Sequence, residues 1–364
     1  MAERKIRVAI LCGGKSAEHE VSLQSAKNVA EAIDKDKYEI LLIGIDKTGK
    51  WLLPDQSQFL LNANDPKLSA LNRKNEERVA LVPQSGGTLT DFTNENSIAA
   101  IDVVFPILHG PFGEDGTVQG LLKLAGVPFV GAGVLGAAVG MDKDVMKRLL
   151  RDAGIPIGKF LVFKQEDPID FERVSSELGL PFFIKPANLG SSVGVSKVKG
   201  REEFDKAINN AFQYDTKILI EEFIDGKEIE CAVLGNQNPI ASGVGEIIPS
   251  HEFYSYDAKY IDEHGASLEV PAKISDDVRE RVRELAIKTF KTLSSEGLGR
   301  VDFFLKKDGG LIVNEINTMP GFTKISMYPR LWEAAGISYS SLIDRLIELA
   351  TERFERELKL KSSY

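Results

Sequence analysis

Residues 300–317, "RVDFFLKKDGGLIVNEIN", place the carboxylates of Asp302 and Glu315, the Arg300 guanidinium and the Asn317 carboxamide at spacings that suit cation binding. The segment reads as two strands joined at Asp308-Gly309, a dipeptide favoured in two-residue hairpin turns because both positions need positive φ. Such a turn sets Asp302 opposite Glu315 and Arg300 opposite Asn317. The strand period of two then puts all four on one face, leaving Val301, Phe303, Asn314 and Ile316 on the other. Opposed carboxylates repel unless a cation or proton sits between them. An all-oxygen set suits Mg²⁺, which takes one or two carboxylates and completes its shell with water and phosphate oxygens, so the ligand implied is a nucleotide. The same spacing also suits a salt-bridge network centred on Arg300 without metal.

Two further stretches could serve a nucleotide. In "FFIKPANLGSSVGVSKV" a strand delivers Lys185, a loop supplies Gly190, Ser191, Ser192 and Gly194, and a second strand leaves. A Walker loop has its lysine after the glycines and opens a helix, so this is a different device, with N–H groups, hydroxyls and one ammonium available to phosphate. A plain flexible hairpin has the same pattern. "KILIEEFIDGKEIECAVLG" is a strand broken at Asp225-Gly226, whose freed backbone groups could meet an adenine edge and whose Glu228 could meet a ribose.

These residues need a scaffold, and the chain supplies α/β and α+β patterns. "KIRVAILCGGKSAEHEVSLQSAKNVAEAI" reads as buried strand, glycine turn and helix, the helix with Val21, Ala26, Val29, Ala30 and Ile33 on its apolar side. "DVVFPILHG" is a second strand, running into the polar loop "PFGEDGTVQG", so the first third is expected to be a Rossmann-like open sheet with ligand-facing loops at strand ends. Residues 54–98 between them read as a polar connector. After Asp142 comes a helix with Val145, Met146, Leu149 and Leu150 as its stripe, stopped at Gly154 and Pro156. Strands then dominate, near 182–185, 194–198, 217–223, 228–234, 240–248, 299–306 and 310–316, and an amphipathic helix closes the chain.

With 364 residues and 43% hydrophobic content the chain can fill two or three domain cores. The net charge of −9 disfavours nonspecific binding to nucleic acid or anionic membrane. Cys12 and Cys231, far apart, suggest neither a disulfide framework nor a zinc site, and four histidines argue against a histidine-rich metal centre. No apolar run is long and unbroken enough for a membrane span or signal peptide, so a cytoplasmic protein is expected.

The Lys-led Gly/Ser loop, the interrupted "EEFI" strand and the Asp302, Glu315, Asn317 set resemble, in that order, the ATP-grasp superfamily. "GGKSAEHEVSLQSAKN", "HGPFGEDGTVQG", "MDKDVMKRLLRDAG", "KPANLGSSVGVSKV", "YDAKYID", "GRVDFF" and "NEINTMPGFTKISMYP" are together similar to the longer form of the D-alanine:D-alanine ligase family, over residues 4 to about 350. The resemblance implies an N-terminal domain over 1–137, a central ATP-grasp subdomain over 138–226 and a C-terminal one over 227–364. It implies ATP-dependent joining of two D-alanines through an acyl phosphate, for peptidoglycan precursors, with two Mg²⁺ ions (or Mn²⁺) and a homodimer. Asp302 and Glu315 would hold one ion, Glu315 and Asn317 the other. Lys143, Lys185 and Ser192 would meet the ATP phosphates, Lys259 the γ-phosphate, Glu221, Phe223 and Ile224 the adenine, and Glu228 the ribose. Arg300 would stabilise the transferring phosphoryl group. Glu18, hydrogen-bonded with Ser191 and Tyr260, would hold the first D-alanine's ammonium beside His109. Gly321, Ser326 and the backbone of Met327 would receive the second D-alanine's carboxylate.

Side-chain context alone assigns several of these otherwise. Glu18, near a helix start, is favoured there by the helix dipole whatever the ligand. Tyr254, Tyr256 and Tyr260 fit a packed strand face, whereas the resemblance puts them in a loop closing over the site. Cys12 reads as a buried small hydrophobe. A D-alanine:D-lactate ligase is the neighbouring alternative, and Tyr260 in its "AKY" context speaks against it. A nicotinamide-dependent or regulatory nucleotide-binding protein is the alternative from another class, but "CGGKSAEH" departs from G-x-G-x-x-G.

Overall fold

The computed structural model describes residues 4–56, 59–62, 69–72, 77–92, 96–249 and 266–361. Strands β1 (Ile6–Gly13), β2 (Tyr38–Ile45) and β9 (Val103–Pro106) are near-continuous apolar runs and pair in parallel, with β1 in the middle. The sheet continues antiparallel through β3 (Trp51–Leu53), β6 (Glu77–Leu81), β7 (Thr88–Asp91) and β8 (Ser97–Ala100), in the order β8-β7-β6-β3-β2-β1-β9. The stretch expected to be a polar connector therefore contributes β6, β7 and the start of β8 to this sheet, and it also holds the small ladder β4 (Leu60–Leu61) and β5 (Ala70–Leu71). These strands are short and half-exposed, so they leave only a weak alternation in the sequence. Helices α1 (His19–Ala32) and α2 (Thr117–Ala125) follow the first and last parallel strands.

Helices α3 (Val134–Met141) and α4 (Lys143–Asp152) lead to a four-stranded antiparallel sheet. It comprises β10 (Phe160–Lys164), β11 (Phe182–Pro186), β12 (Ser196–Val198) and β13 (Lys217–Glu222), ordered β10-β13-β11-β12. One face packs Phe182, Ile184, Ile218 and Ile220 against α5 (Phe171–Leu178) and α6 (Arg201–Ala211), which leaves Lys185 and Glu221 on the other.

A five-stranded antiparallel sheet follows, with β14 (Gly226–Gly235), β15 (Ile240–Pro249), β16 (Ala266–Glu269), β17 (Gly297–Lys306) and β18 (Leu311–Asn317) ordered β16-β15-β14-β17-β18. Ile229, Cys231, Val301, Phe303 and Val313 bury one face with Val282, Ala286 and Phe290 of α7 (Asp276–Thr292). On the opposite face Ala232 and Leu234 join the core of α8 (Met327–Ala334) and α9 (Tyr339–Leu358). Helix α9 also reaches the first sheet: Arg353 lies over the Phe129 ring, 4.4 Å to the centroid, and donates to the carbonyls of Phe129 and Gly131. Among the described residues no helix is long and apolar enough to cross a membrane.

Candidate functional site

The β17–β18 ribbon reaches its expected register by a route the sequence did not suggest. Arg300 faces Asn317 and Asp302 faces Glu315, but beyond a bulge Phe303 faces Val313, leaving Asn314 as the extra residue. At the tip, Lys306 N–H donates to Gly310 O at 2.9 Å, closing a three-residue loop in which Gly309 alone takes positive φ, +82°. The loop shifts the pairing by one residue and the bulge at Asn314 restores it. The expected two-residue turn, and Asn314 as partner of Phe303, are thereby corrected.

Beside the ribbon, β14 sets Glu230 opposite Asp302. Three carboxylates, Glu230, Asp302 and Glu315, thus lie side by side across three strands. Arg300 answers two of them: Nε and Nη2 reach Asp302 at 2.7 Å each, and Nε lies 2.9 Å from Glu230. Burial opposes the guanidinium's charge, but Asp302 and Glu230 outweigh it and hold its pKa well above the ordinary value. The salt-bridge network is therefore real, and Glu230 is a member that sequence reading missed. Its position two residues after Glu228 on one strand face was the available signal. Asn317 Nδ2 donates to Asp302 at 3.0 Å.

Helix α4 brings the ammonium groups. Asp142 caps it by accepting from Asp144 and Val145, which fixes Lys143 in the first turn. Lys143 Nζ lies 3.2 Å from Glu315 and donates to Leu189 O at 2.8 Å, joining the ribbon to the Gly/Ser loop. The helix does not bury the stripe expected of it: Met146 and Leu150 are inside, Val145 and Leu149 are more than a third exposed, and Lys143 and Lys147 are buried. Lys147 was not anticipated, although its spacing of four from Lys143 puts both on one side. Lys147 Nζ is 3.2 Å from Glu221 Oε1, and Lys185 Nζ is 2.6 Å from Oε2. Burial pushes Lys147 down despite Glu221, whereas for Lys185 the burial is outweighed by Glu221 and Glu315 and its pKa rises. Glu221 is likewise penalised by burial, yet Lys147 and Lys185 carry its pKa below the carboxylate norm. Glu228 lies close enough to act on Lys185. Phe223 is exposed at 42% with Lys197 over its ring, and Ile224 is half-buried next to it.

A second cluster adjoins the first. Glu18 is the N-cap residue of α1 but makes no side-chain cap hydrogen bond. Its carboxylate instead accepts from the Ser191 hydroxyl, 173 residues away. Gly110, at φ +75°, leaves the room: a Cβ there would come 3.0 Å from Glu18 Oε2. Ser191 and Ser192 both hold left-handed backbone, φ 53° and 59°, a conformation costing side-chain-bearing residues about 1 kcal/mol each. His109 is buried, its Nδ1 2.9 Å from Met319 O and its Nε2 3.4 Å from Ser25 Oγ. Burial lowers its pKa, with Glu18 and the Met319 carbonyl acting in the other direction.

Glu114, also missed, accepts from Gly110 N–H at 2.7 Å and Met319 N–H at 3.0 Å, and burial together with Glu18 pushes it up to about 8. Beside Asp115 in a Gly-rich loop it gave no periodic signal. Just beyond, Ser326 Oγ accepts from Thr323 N–H at 3.1 Å beside Gly321, while Met327 is buried. Lys259 and Tyr260, with Tyr254 and Tyr256, lie outside the described residues. Cys12 is buried as expected, its thiol pushed up to about 12 by that burial.

Among the described residues no three His, Cys, Asp or Glu side chains converge as a metal cluster. Asp302, Glu315 and Asn317 nonetheless form a two-carboxylate, one-carboxamide set with Lys143 and Arg300 against its charges. That is the donor count Mg²⁺ uses when phosphate oxygens complete its shell, so the residues fit such an ion.

Residues 7–132 match the family model described as D-ala D-ala ligase N-terminus, and residues 149–348 the one described as D-ala D-ala ligase C-terminus. The D-alanine–D-alanine ligase of Shouchella clausii is 58% identical over 99% of this chain and 98% of its own length. That of Oceanobacillus iheyensis is 55% identical over 99% of each. Among solved structures, the D-alanine–D-alanine ligase of Coxiella burnetii superposes with a TM-score of 0.86 at 38% identity, covering 98% of this chain and 97% of that one. The VanG D-Ala:D-Ser ligase of Enterococcus faecalis gives 0.84 at 38%, covering 95% and 100%. The Bacillus anthracis D-alanine–D-alanine ligase complexed with ATP gives 0.73 at 28%, covering 97% and 99%.

Proposed function

The chain belongs to the D-alanine–D-alanine ligase family, and from that membership we propose how its side chains divide the work of joining two D-alanines at the expense of ATP. The reaction is the ATP-dependent ligation that serves cell-wall synthesis. A carboxylate is a poor electrophile. A carboxylate oxygen of the first D-alanine attacks the γ-phosphorus, ADP leaves, and the acyl phosphate forms. The amine of the second D-alanine then attacks the carbonyl and expels phosphate, losing its proton on the way.

The observation that carries the assignment is the ribbon register, which puts Arg300, Asp302, Glu315 and Asn317 on one face with Lys143 3.2 Å from Glu315. Lys143 and Lys185 neutralise the polyphosphate, and the left-handed backbone at Ser191 and Ser192 curls N–H groups into the kind of turn that accepts anions. Glu221, Phe223 and Ile224 receive the adenine and Glu228 the ribose. Arg300, fixed by Glu230 and Asp302, meets charge building on the phosphoryl oxygens and on the tetrahedral carbon's oxygen. Mg²⁺ held by Asp302, Glu315 and Asn317 would supply further neutralisation of the phosphates when bound.

Glu18, oriented by Ser191, takes the ammonium of the first D-alanine next to His109. Gly321, Ser326 and the Met327 N–H, at the start of α8, take the carboxylate of the second. From the family resemblance, Lys259 would serve the γ-phosphate and Tyr260 would join Ser191 in orienting Glu18. The division into 1–137, 138–226 and 227–364, a homodimer and a cytoplasmic location belong to the same reading.

The second substrate is the finer question, because a D-Ala:D-Ser ligase superposes about as well as a D-alanine–D-alanine ligase. The relatives at 55–58% identity favour D-alanine. Competition of D-alanine with D-serine and D-lactate at neutral pH, products separated by mass, tests it. D-alanyl-D-alanine should dominate, and a mainly D-seryl or D-lactyl product would overturn the choice.

A further inference from the structure

We propose that Lys147 is a positioning residue for nucleotide binding, the resident counter-ion of Glu221 that releases Lys185 to the phosphates of ATP. The proposal rests on the reading of Lys185 as a phosphate ligand and adds to it a residue with no assigned role.

Lys147 is 2% exposed, with its Nζ 3.2 Å from Glu221 Oε1 and 5.9 Å from the centre of the Phe160 ring. Phe160 and Phe183 flank Glu221 in register on either side, so little water reaches the carboxylate. Lys185 Nζ, 2.6 Å from Oε2, is engaged with this glutamate. To serve a phosphate it must withdraw, at least in part. A buried carboxylate stripped of all partners is strongly unfavourable, so withdrawal from a glutamate with only one lysine would oppose binding. Lys147 removes that opposition, because it stays on Oε1 when Lys185 leaves Oε2.

The geometry also keeps Lys147 from competing for the nucleotide. It lies one helical turn from Lys143, whose ammonium is held by Glu315 of the five-stranded sheet, while Lys147 serves Glu221 of the four-stranded one. One helix therefore anchors a cation on each sheet and leaves Lys185, at the end of β11, as the lysine free to exchange partners.

The test is calorimetric titration of the full chain with ATP in magnesium buffer, for the unaltered protein and for Lys147→Met, Lys185→Met, Glu221→Gln and the Lys147→Met/Glu221→Gln pair. Lys147→Met should weaken ATP binding by roughly 10-fold or more, in the range of energetic coupling between contacting charges. In the pair position 221 carries no charge to be stranded when Lys185 turns to the phosphates, so ATP binding should return to within about threefold of Glu221→Gln alone, a rescue that a merely structural lysine does not give. The pair removes both charges together, so it keeps the comparison available even where Lys147→Met folds poorly. Additive losses in the pair, or unchanged affinity in Lys147→Met beside weakened binding in Lys185→Met, would overturn the role of Lys147 and leave Lys185 as a phosphate ligand. Unchanged affinity in Lys185→Met would overturn both.

Discussion

Glu315→Gln separates catalysis from folding more sharply than any other single change in the ribbon. The carboxylate is held by Lys143 at 3.2 Å and opposed by Asp302 directly across the strands, its side chain 23% exposed. Substitution by an isosteric amide removes an attraction and a repulsion of the same order, and Lys143 keeps the Leu189 carbonyl at 2.8 Å. Stability should therefore move by no more than about 1 kcal/mol, well below the cost of an unpaired buried charge. On the proposed reading, turnover loses an anionic ligand for the nucleotide-bound cation at the reacting phosphoryl group. That is comparable to deleting a preorganised electrostatic group, about 10²- to 10³-fold in kcat, or about 2.7–4 kcal/mol. ADP release with saturating ATP and D-alanine measures the first quantity, and urea unfolding the second. A kcat within threefold of the unaltered enzyme would refute the assignment of Glu315. An equal loss of activity and of fold would refute the reasoning that the two effects separate.

Ser191→Ala should raise the KM for D-alanine by roughly tenfold with a smaller effect on ATP, because it unties Glu18 and not the phosphate lysines; initial-rate kinetics in both substrates decide it. His109, with a folded pKa below its unfolded one, gives stability that is complete above about pH 6.5 and is lost as pH falls toward the folded value. Unfolding midpoints across pH 5–7.5 should fall toward acid, less steeply in His109→Gln; parallel slopes would count against it. Arg353→Met leaves the carbonyls of Phe129 and Gly131 without their charged donor, a loss of about 2–4 kcal/mol in urea unfolding, with kcat kept in what remains folded.

The parts of this account that were legible in sequence are those where chemistry follows a short period. The parity of Arg300, Asp302, Glu315 and Asn317 is fixed by strand geometry, and it survived a wrong turn because loop and bulge shift the register by one residue each and cancel. Lys185, with its Gly/Ser loop, and the broken "EEFI" strand could be read for the same reason. The burial of Lys147 and Glu230 could not. Each is inside only because a partner distant in sequence neutralises it, Glu221 for the one and Arg300 for the other, and local pattern rules place charged residues outside. Strands β6–β8 escaped because short strands that are half-exposed carry little alternation, and α4 misled because its lysines are buried while Val145 and Leu149 are not.

The central claim is that this site activates one D-alanine as an acyl phosphate and gives it to a second. D-alanine labelled with ¹⁸O in both carboxylate oxygens, incubated with ATP and Mg²⁺, should yield D-alanyl-D-alanine and phosphate in equal amounts, each phosphate carrying one labelled oxygen. Phosphate free of label would mean that water, and not a substrate carboxylate, receives the phosphoryl group, and the account would fail.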